Sequence, residues 1–218
     1  MIIRAVILDY GMVLCTPDPL AHANLLAITG LEREVFEGIY WRDRRTYDLG
    51  LLDGPGFWVR FAGEAGLALT PEQIQQLVAN DVRLWVGTLN TPMLAWATAL
   101  QEAGLRTAIL SNMVGEVLRE MRREFAWLNR FTHLTWSCEL GIAKPDPAIY
   151  RWTWEHLGVP PEETLFVDDN PENVRAAGDL GIHAIQFHSV EQLRAELAEQ
   201  GLLQGLPQPG EDEMVTRA

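Results

Sequence analysis

The sequence predicts an α/β protein: a doubly wound, Rossmann-like parallel sheet with an inserted α-helical cap subdomain. Three observations carry this reading. Apolar, β-rich runs stop abruptly at polar residues, helical patterns with readable ends lie between those runs, and residues 17–86 keep a helical rhythm with no convincing strand. Strands alternating with helices imply right-handed crossovers and a parallel sheet.

The first run, IIRAVIL, is continuously apolar rather than alternating, as a strand covered on both faces requires, and it ends at Asp9. CTPDP at residues 15–19 is a turn-rich hinge, and VGTLNTP at 86–92 is its counterpart on return. Between them Ile74, Leu77, Val78, Val82 and Trp85 fall at helical spacing. The next helix has Thr91 as N-cap and Pro92 at its first turn, places Met93, Trp96, Ala97 and Leu100 on one face, and stops at Gly104. TAIL then runs into Ser111 and Asn112, TLFV into Asp168 and Asp169, and HAIQF into His188 and Ser189. Ser189 with Gln192 reads as a capping box for a last helix closed by Gly201. Residues 1–16 and 87–203 are thus expected to form the core and 17–86 the cap. The stretch 204–218, with LPQPGEDEM, is expected to be poorly ordered.

Thirty acidic against seventeen basic side chains give a formal charge of -13, the wrong sign for holding a phosphate backbone, so nucleic acid is not an expected partner. No run approaches the eighteen or so apolar residues of a membrane helix, and MIIRAVILDYG lacks a long apolar stretch with a cleavage signal. A cytoplasmic location is the expectation, with Cys15 read as a small buried residue rather than a reactive thiol. His133, His156 and His183 lack metal-ligand spacing, and Trp96, Trp152 and Trp154 are read as packing residues.

In an open α/β sheet ligands bind at the carboxyl ends of the strands, which is where this chain concentrates its polar residues. One strand end offers a carboxylate, another a hydroxyl and an amide, and a third two adjacent carboxylates, while the loop GIAKPDP offers Lys144. A nucleophile, a site for a divalent cation and donors for phosphoryl oxygens are what phosphoryl transfer through a carboxyl-phosphate needs. Each residue alone has an ordinary structural reading as a turn, a cap or a surface charge; the ordered combination is what points to chemistry.

The ordered set VILDYGMVL, AILSNM, GIAKPDPAIY and LFVDDNPENVRAAGDLGI resembles the four motifs of the haloacid dehalogenase superfamily, and the inserted helices resemble its helical cap. The glycine two residues after the first aspartate is similar to the α-D-glucose-1-phosphatase group. The resemblance implies a magnesium-dependent phosphatase acting on a small phosphate ester, a sugar phosphate among the candidates, with Asp9 as nucleophile. It further implies Asp9, the Gly11 carbonyl, Asp169 and Asp168 around Mg2+; Ser111, Asn112 and Lys144 on the phosphoryl oxygens; and Asn173 steadying the acidic loop.

Gly11 departs from most phosphatases of the superfamily, which carry there a second aspartate that protonates the leaving oxygen. General acid–base help is typically worth a hundredfold or more. Three accounts stay open: a leaving group that needs little protonation, another acid such as Asp18, or weak activity. A 2-haloacid dehalogenase needs neither cation nor second aspartate, but the Asp168–Asp169 pair argues against it. A receiver-type signalling domain has the acids in another order, and a catalytically weak phosphate-binding scaffold is the remaining rival. In the cap, Arg42, Arg44 and Arg45 beside aromatics could grip an anionic or sugar substrate; the plainer reading is a solvated helix face paired with neighbouring acids. Apolar cap helices could also form a homodimer.

Overall fold

In a computed structural model, which describes residues 2–210, five parallel strands form the main sheet. They are β1 (Ala5–Leu8), β4 (Arg106–Ser111), β5 (His133–Trp136), β6 (Thr164–Asp168) and β7 (His183–Gln186). Two short strands, β2 (Cys15–Thr16) and β3 (Thr88–Leu89), pair antiparallel where the chain leaves the sheet and returns. The sheet order is β5-β4-β1-β6-β7, so the chain winds outward from β1 in one direction and then, from β6, in the other. The crevice above β1 is therefore a topological switch point.

The unbroken apolar character of β1 follows from its two faces. Val6 and Leu8 pack with Ile109, Leu165, Val167 and Ile185 on one side. Ala5 and Ile7 pack with Ala108, Leu110 and Phe166 on the other. Leu8 pairs with Ile109 of β4 and with Val167 of β6, and this register sets Asp9 beside Asp168 and just short of Ser111. Helices α6 (Thr91–Glu102), α7 (Gly115–Glu124), α8 (Ser137–Leu140), α9 (Pro147–Leu157), α10 (Pro171–Asp179) and α11 (Val190–Glu199) cover the sheet.

Residues 17–86 hold five helices: α1 (Pro19–Thr29), α2 (Arg33–Arg42), α3 (Arg44–Asp48), α4 (Gly54–Ala65) and α5 (Pro71–Val86). Aromatic packing among Phe36, Tyr40, Phe57, Trp58 and Phe61 joins α2 to α4, while α1 and α4 pack against α5 and α3 against α2. The two hinge passages are clasped together. Asn90 donates through its side chain to the Val13 carbonyl, and Asp18 both caps α1 through Leu20 and Ala21 and accepts from Arg83.

Several expectations need correction. α6 begins at Thr91 itself, with Asn90 as the cap position. Ser189 accepts from the Gln192 N–H, but the Gln192 side chain accepts from His188, so the capping box is half made. Trp152 is 42% exposed because α9 turns Ile149, Tyr150, Thr153 and Leu157 inward instead. Residues 204–210 are not loose. Leu206 is buried, and the Pro207 and Pro209 carbonyls accept from Trp96 and Arg194. The rest of the expected tail, 211–218, lies outside the described residues. Among the described residues no helix is long and apolar enough to cross a membrane.

Candidate active site

The chain ends of β1, β4 and β6 open into a cavity of about 470 Å3 roofed by α3 and the end of α5. Asp9, Gly11, Ser111, Asn112, Lys144, Asp169 and Asn173 all line it, so the structure brings together nearly every residue singled out from the sequence. Asp168 lies directly beneath, fully buried.

Lys144 is the hinge of the arrangement. Its ammonium lies 2.9 Å from Asp9 Oδ1 and 2.6 Å from Asp168 Oδ2. Burial pulls its pKa down, but Asp168 and Asp9 more than reverse that, so it stays protonated. The loop is fixed by Asn112, whose side chain accepts from the Lys144 N–H and donates to the Lys144 carbonyl, in a segment with a cis Lys144–Pro145 bond. The Asn112 amide is thus largely committed to holding Lys144. Ser111 Oγ makes only a long contact of 3.4 Å with the Asn112 carbonyl, which leaves the hydroxyl free to face the cavity.

Asp168 is saturated. Its Oδ1 accepts from the Asn170 N–H and from Asn173, and its Oδ2 accepts from Lys144 and, more distantly, from Asn173. Asp169 is more open. One carboxylate oxygen from each of Asp9, Asp168 and Asp169 lies within 4.8 Å of the others. Burial, with help from Asp168 and Asp169 and against the pull of Lys144, pushes the Asp9 carboxyl up to about 7. Burial and Asp168 likewise push Asp169 upward. Three carboxylates facing one ammonium leave two negative charges without a partner, in a buried site where unpaired charge is costly. Hard oxygen donors at this spacing, beside a backbone turn at Gly11, fit a small divalent cation such as Mg2+. The turn itself holds Met12 at φ 60, a left-handed conformation uncommon for a side chain other than glycine and concentrated at functional sites.

Asp18, a candidate proton donor from the sequence, is elsewhere. It lies at the hinge and is not among the residues lining the cavity. Burial works against its ionisation, but the Leu20 N–H and Arg83 hold its carboxyl below the usual range. It is a helix cap. Cys15 is fully buried with its thiol pushed up to about 12, chiefly by burial, consistent with an inert packing residue.

The arginine run of residues 42–45 divides in a way the sequence does not show. Arg42 is exposed and pairs with Glu64. Arg44 is buried, not solvated: it meets Asp48 at 2.9 Å and Asp81 at 3.3 Å, donates to the Tyr40 hydroxyl, and stacks over Tyr40 and Tyr47. Tyr40 in turn donates to Asp81 and accepts from the Trp85 indole. Arg44, Arg45, Asp48, Trp41 and Trp85 all line the cavity roof. Of these, Asp48, Trp41 and Trp85 were not singled out from the sequence as site residues. One signal was available: Asp81 interrupts the apolar face of α5 between Leu77 and Leu84, and a carboxylate there needs a buried cation.

Residues 3–181 match the family model of haloacid dehalogenase-like hydrolases. Mouse bifunctional epoxide hydrolase 2 is 33% identical over 116 residues, which are 50% of this chain but only 21% of that protein. The chain thus spans about a fifth of that relative's length. The phosphoserine phosphatase of Thermus thermophilus is 36% identical over 92 residues, 42% of this chain and 37% of its own. The (S)-2-haloacid dehalogenase 1 of a Pseudomonas species is 33% identical over 94 residues, 43% of this chain and 41% of its own. A haloacid dehalogenase family enzyme of Bacteroides thetaiotaomicron, solved with magnesium and inorganic phosphate, shares the fold at a TM-score of 0.68 and 24% identity, covering 85% of this chain and 94% of that one. With its parallel sheet, its acidic strand ends and a family match over most of its length, this chain belongs to the haloacid dehalogenase-like hydrolases.

Proposed function

We propose that the protein is a magnesium-dependent phosphatase of small phosphorylated metabolites, working through an aspartyl-phosphate on Asp9, with helices α1–α5 as a cap over the site. The observation that carries the reading is the cluster of Asp9, Asp168 and Asp169 oxygens within 4.8 Å of one another, with Lys144 bridging Asp9 and Asp168. A dehalogenase attacking an anionic haloacid has no use for two further carboxylates beside its nucleophile. The magnesium and phosphate bound by the Bacteroides enzyme support the same choice.

In this reading Asp9 and Asp169, with the Gly11 carbonyl, would hold Mg2+, and Asp168 completes the negative charge while anchoring Lys144. When bound, the cation offsets the repulsion between a carboxylate and a phosphate dianion. Lys144 favours the ionised form of Asp9 and orients it for in-line attack, and its remaining hydrogen, with the Ser111 hydroxyl, offsets charge on the phosphoryl oxygens, while the Asn112 amide holds the Lys144 loop in place and has one hydrogen left to turn toward them. The P–O bond to the leaving group breaks as the Asp9–P bond forms, and water then hydrolyses the acyl phosphate to release inorganic phosphate and free Asp9. Without an acid at residue 11, substrates with a stabilised leaving oxygen, such as an anomeric sugar hydroxyl or a carboxylate, are favoured. Free Cys15 and Cys138 fit a cytoplasmic enzyme.

The test is turnover of p-nitrophenyl phosphate, acetyl phosphate and α-D-glucose 1-phosphate with and without Mg2+, with Asp9→Asn as control. Phosphate release that requires Mg2+ and disappears in the variant is the expected result. Cation-independent turnover of chloropropionate, or phosphate release that persists in Asp9→Asn, would overturn the reading.

A further inference from the structure

The cap arginines are paired, with one exception at the mouth of the cavity. Arg33 meets Glu37, Arg42 meets Glu64, Arg44 meets Asp48 and Asp81, Arg60 meets Asp43, and Arg83 meets Asp18. Arg45 has no ion pair and no side-chain hydrogen bond among the described residues, yet it lines the same cavity as Asp9. Its neighbour explains how it is held there. Arg44 is locked by Asp48, Asp81 and Tyr40, and Ser137 Oγ donates to the Asp48 carbonyl, so the single turn of α3 is pinned both to α5 and to the core. A five-residue helix fixed at both ends presents residue 45 to the cavity as a rigid mount.

The cations nearest the phosphoryl end already have partners. Lys144 serves Asp9 and Asp168, and Arg44 is spent on two carboxylates, which leaves Arg45 as the cavity-lining cation without an ion pair among the described residues, since the other acids of the lining, Asp169 and Glu172, make none with it. A guanidinium offers a planar fork of donors suited to a carboxylate or a phosphate. In the same cavity Trp41 and Trp85 supply flat apolar walls, and a volume of about 470 Å3 leaves space for more than a phosphoryl group.

We propose that Arg45 binds a second anionic group on the substrate, a carboxylate or a phosphate carried by the leaving portion, so that the preferred substrates are phosphate esters with two anionic ends. The proposal rests on the phosphatase reading and narrows it. Binding energy gathered at the remote end would be realised as a lower KM for such substrates.

Three compounds with the same anomeric leaving oxygen test it: α-D-glucose 1-phosphate, α-D-glucose 1,6-bisphosphate and α-D-glucuronic acid 1-phosphate. Wild-type enzyme is expected to favour one or both of the dianionic-ended compounds over glucose 1-phosphate by roughly tenfold in kcat/KM, the worth of one charge-assisted hydrogen bond at an open site. Which of the two is favoured identifies the anion. Arg45→Met should erase the preference through KM, and Arg45→Lys should restore part of it. Arg45 is exposed, so both variants are expected to melt like wild type. Absence of any preference in wild type, or a preference that survives in Arg45→Met, overturns the proposal. So does an equal weakening in Arg45→Met of all three substrates and of inhibition by inorganic phosphate, which would make Arg45 a clamp for the transferred group. If no phosphate ester is turned over, the phosphatase reading has failed; calorimetric binding of the same three compounds to Asp9→Asn, with and without Arg45→Met, then still decides the role of Arg45.

Discussion

Without a cation, the protein is expected to lose stability as pH rises through the neutral range. Asp9 is the cause. Its carboxyl is displaced from an ordinary 3.8 to about 7, chiefly by burial and then by Asp168 and Asp169 against Lys144. Between those two values the folded chain binds a proton that the unfolded chain does not, so stability falls with rising pH across that window. At about 1.4 kcal/mol per pH unit, going from about pH 5 to about pH 8 removes on the order of 3 kcal/mol. For a chain of this size that is a fall of roughly 6–12 °C in melting temperature. Asp48, Asp81 and Asp169 are also displaced upward and act with the same sign, whereas the raised pKa of Lys144 leaves its contribution intact until well above this range. The assay is a set of melting curves in chelator at about pH 5 and about pH 8, repeated with millimolar Mg2+ and with Asp9→Asn. Asp9→Asn should be the more stable protein in chelator at the higher pH, and Mg2+ should stabilise wild type more at the higher pH than at the lower. A metal-free protein that melts no lower at about pH 8, or an Asp9→Asn variant that gains nothing there, would refute the charge account of the site.

Two further outcomes follow from the cap. Arg44→Met leaves Asp48 and the fully buried Asp81 without their cation and should cost about 3–5 kcal/mol in urea unfolding, much of it recovered by adding Asp81→Leu. In Gly87→Ala the new Cβ would sit 2.5 Å from Asp18 Oδ2 and 2.8 Å from the Arg83 carbonyl, so the hinge clasp must shift; a loss of about 1–3 kcal/mol in the same assay is expected.

The sheet was legible where burial was complete. β1, β4 and β6 are apolar through both faces, and their ends are marked by Asp9, Ser111 and Asp168. β5 is not legible, because HLTW is an edge strand whose first two residues are only half-buried, so the mixed composition gives neither a continuous nor a clean alternating run. The strand-end residues were legible for the same reason as the strands: a parallel sheet brings every carboxyl end to one edge, whatever the separation along the chain. The roof was not. Arg44 and Arg45 are adjacent and chemically identical, yet one is buried and the other exposed. What separates them is the position of Asp81, thirty-seven residues away, which no local pattern around RDRR contains.

Gly11 can now be placed in this geometry. A Cβ built there would meet only Cζ3 of Trp85, at 3.6 Å, so the backbone does not demand glycine; a longer side chain continuing in that direction meets the indole. Trp85 is not free to yield. Its Nε1 donates to the Tyr40 hydroxyl, its carbonyl accepts from Tyr10, and its ring lies 5.9 Å from the Arg44 guanidinium carbon. Glycine at 11 and tryptophan at 85 are therefore parts of one arrangement, in which the direction a side chain at residue 11 would take is flanked by an apolar ring held through the cap's ion-pair network. An indole cannot protonate a departing oxygen, and Asp18 is committed to the hinge. The chemistry compatible with such a wall is one whose leaving oxygen bears its charge unaided, which is the physical ground for expecting anomeric or acyl phosphates rather than simple alkyl esters.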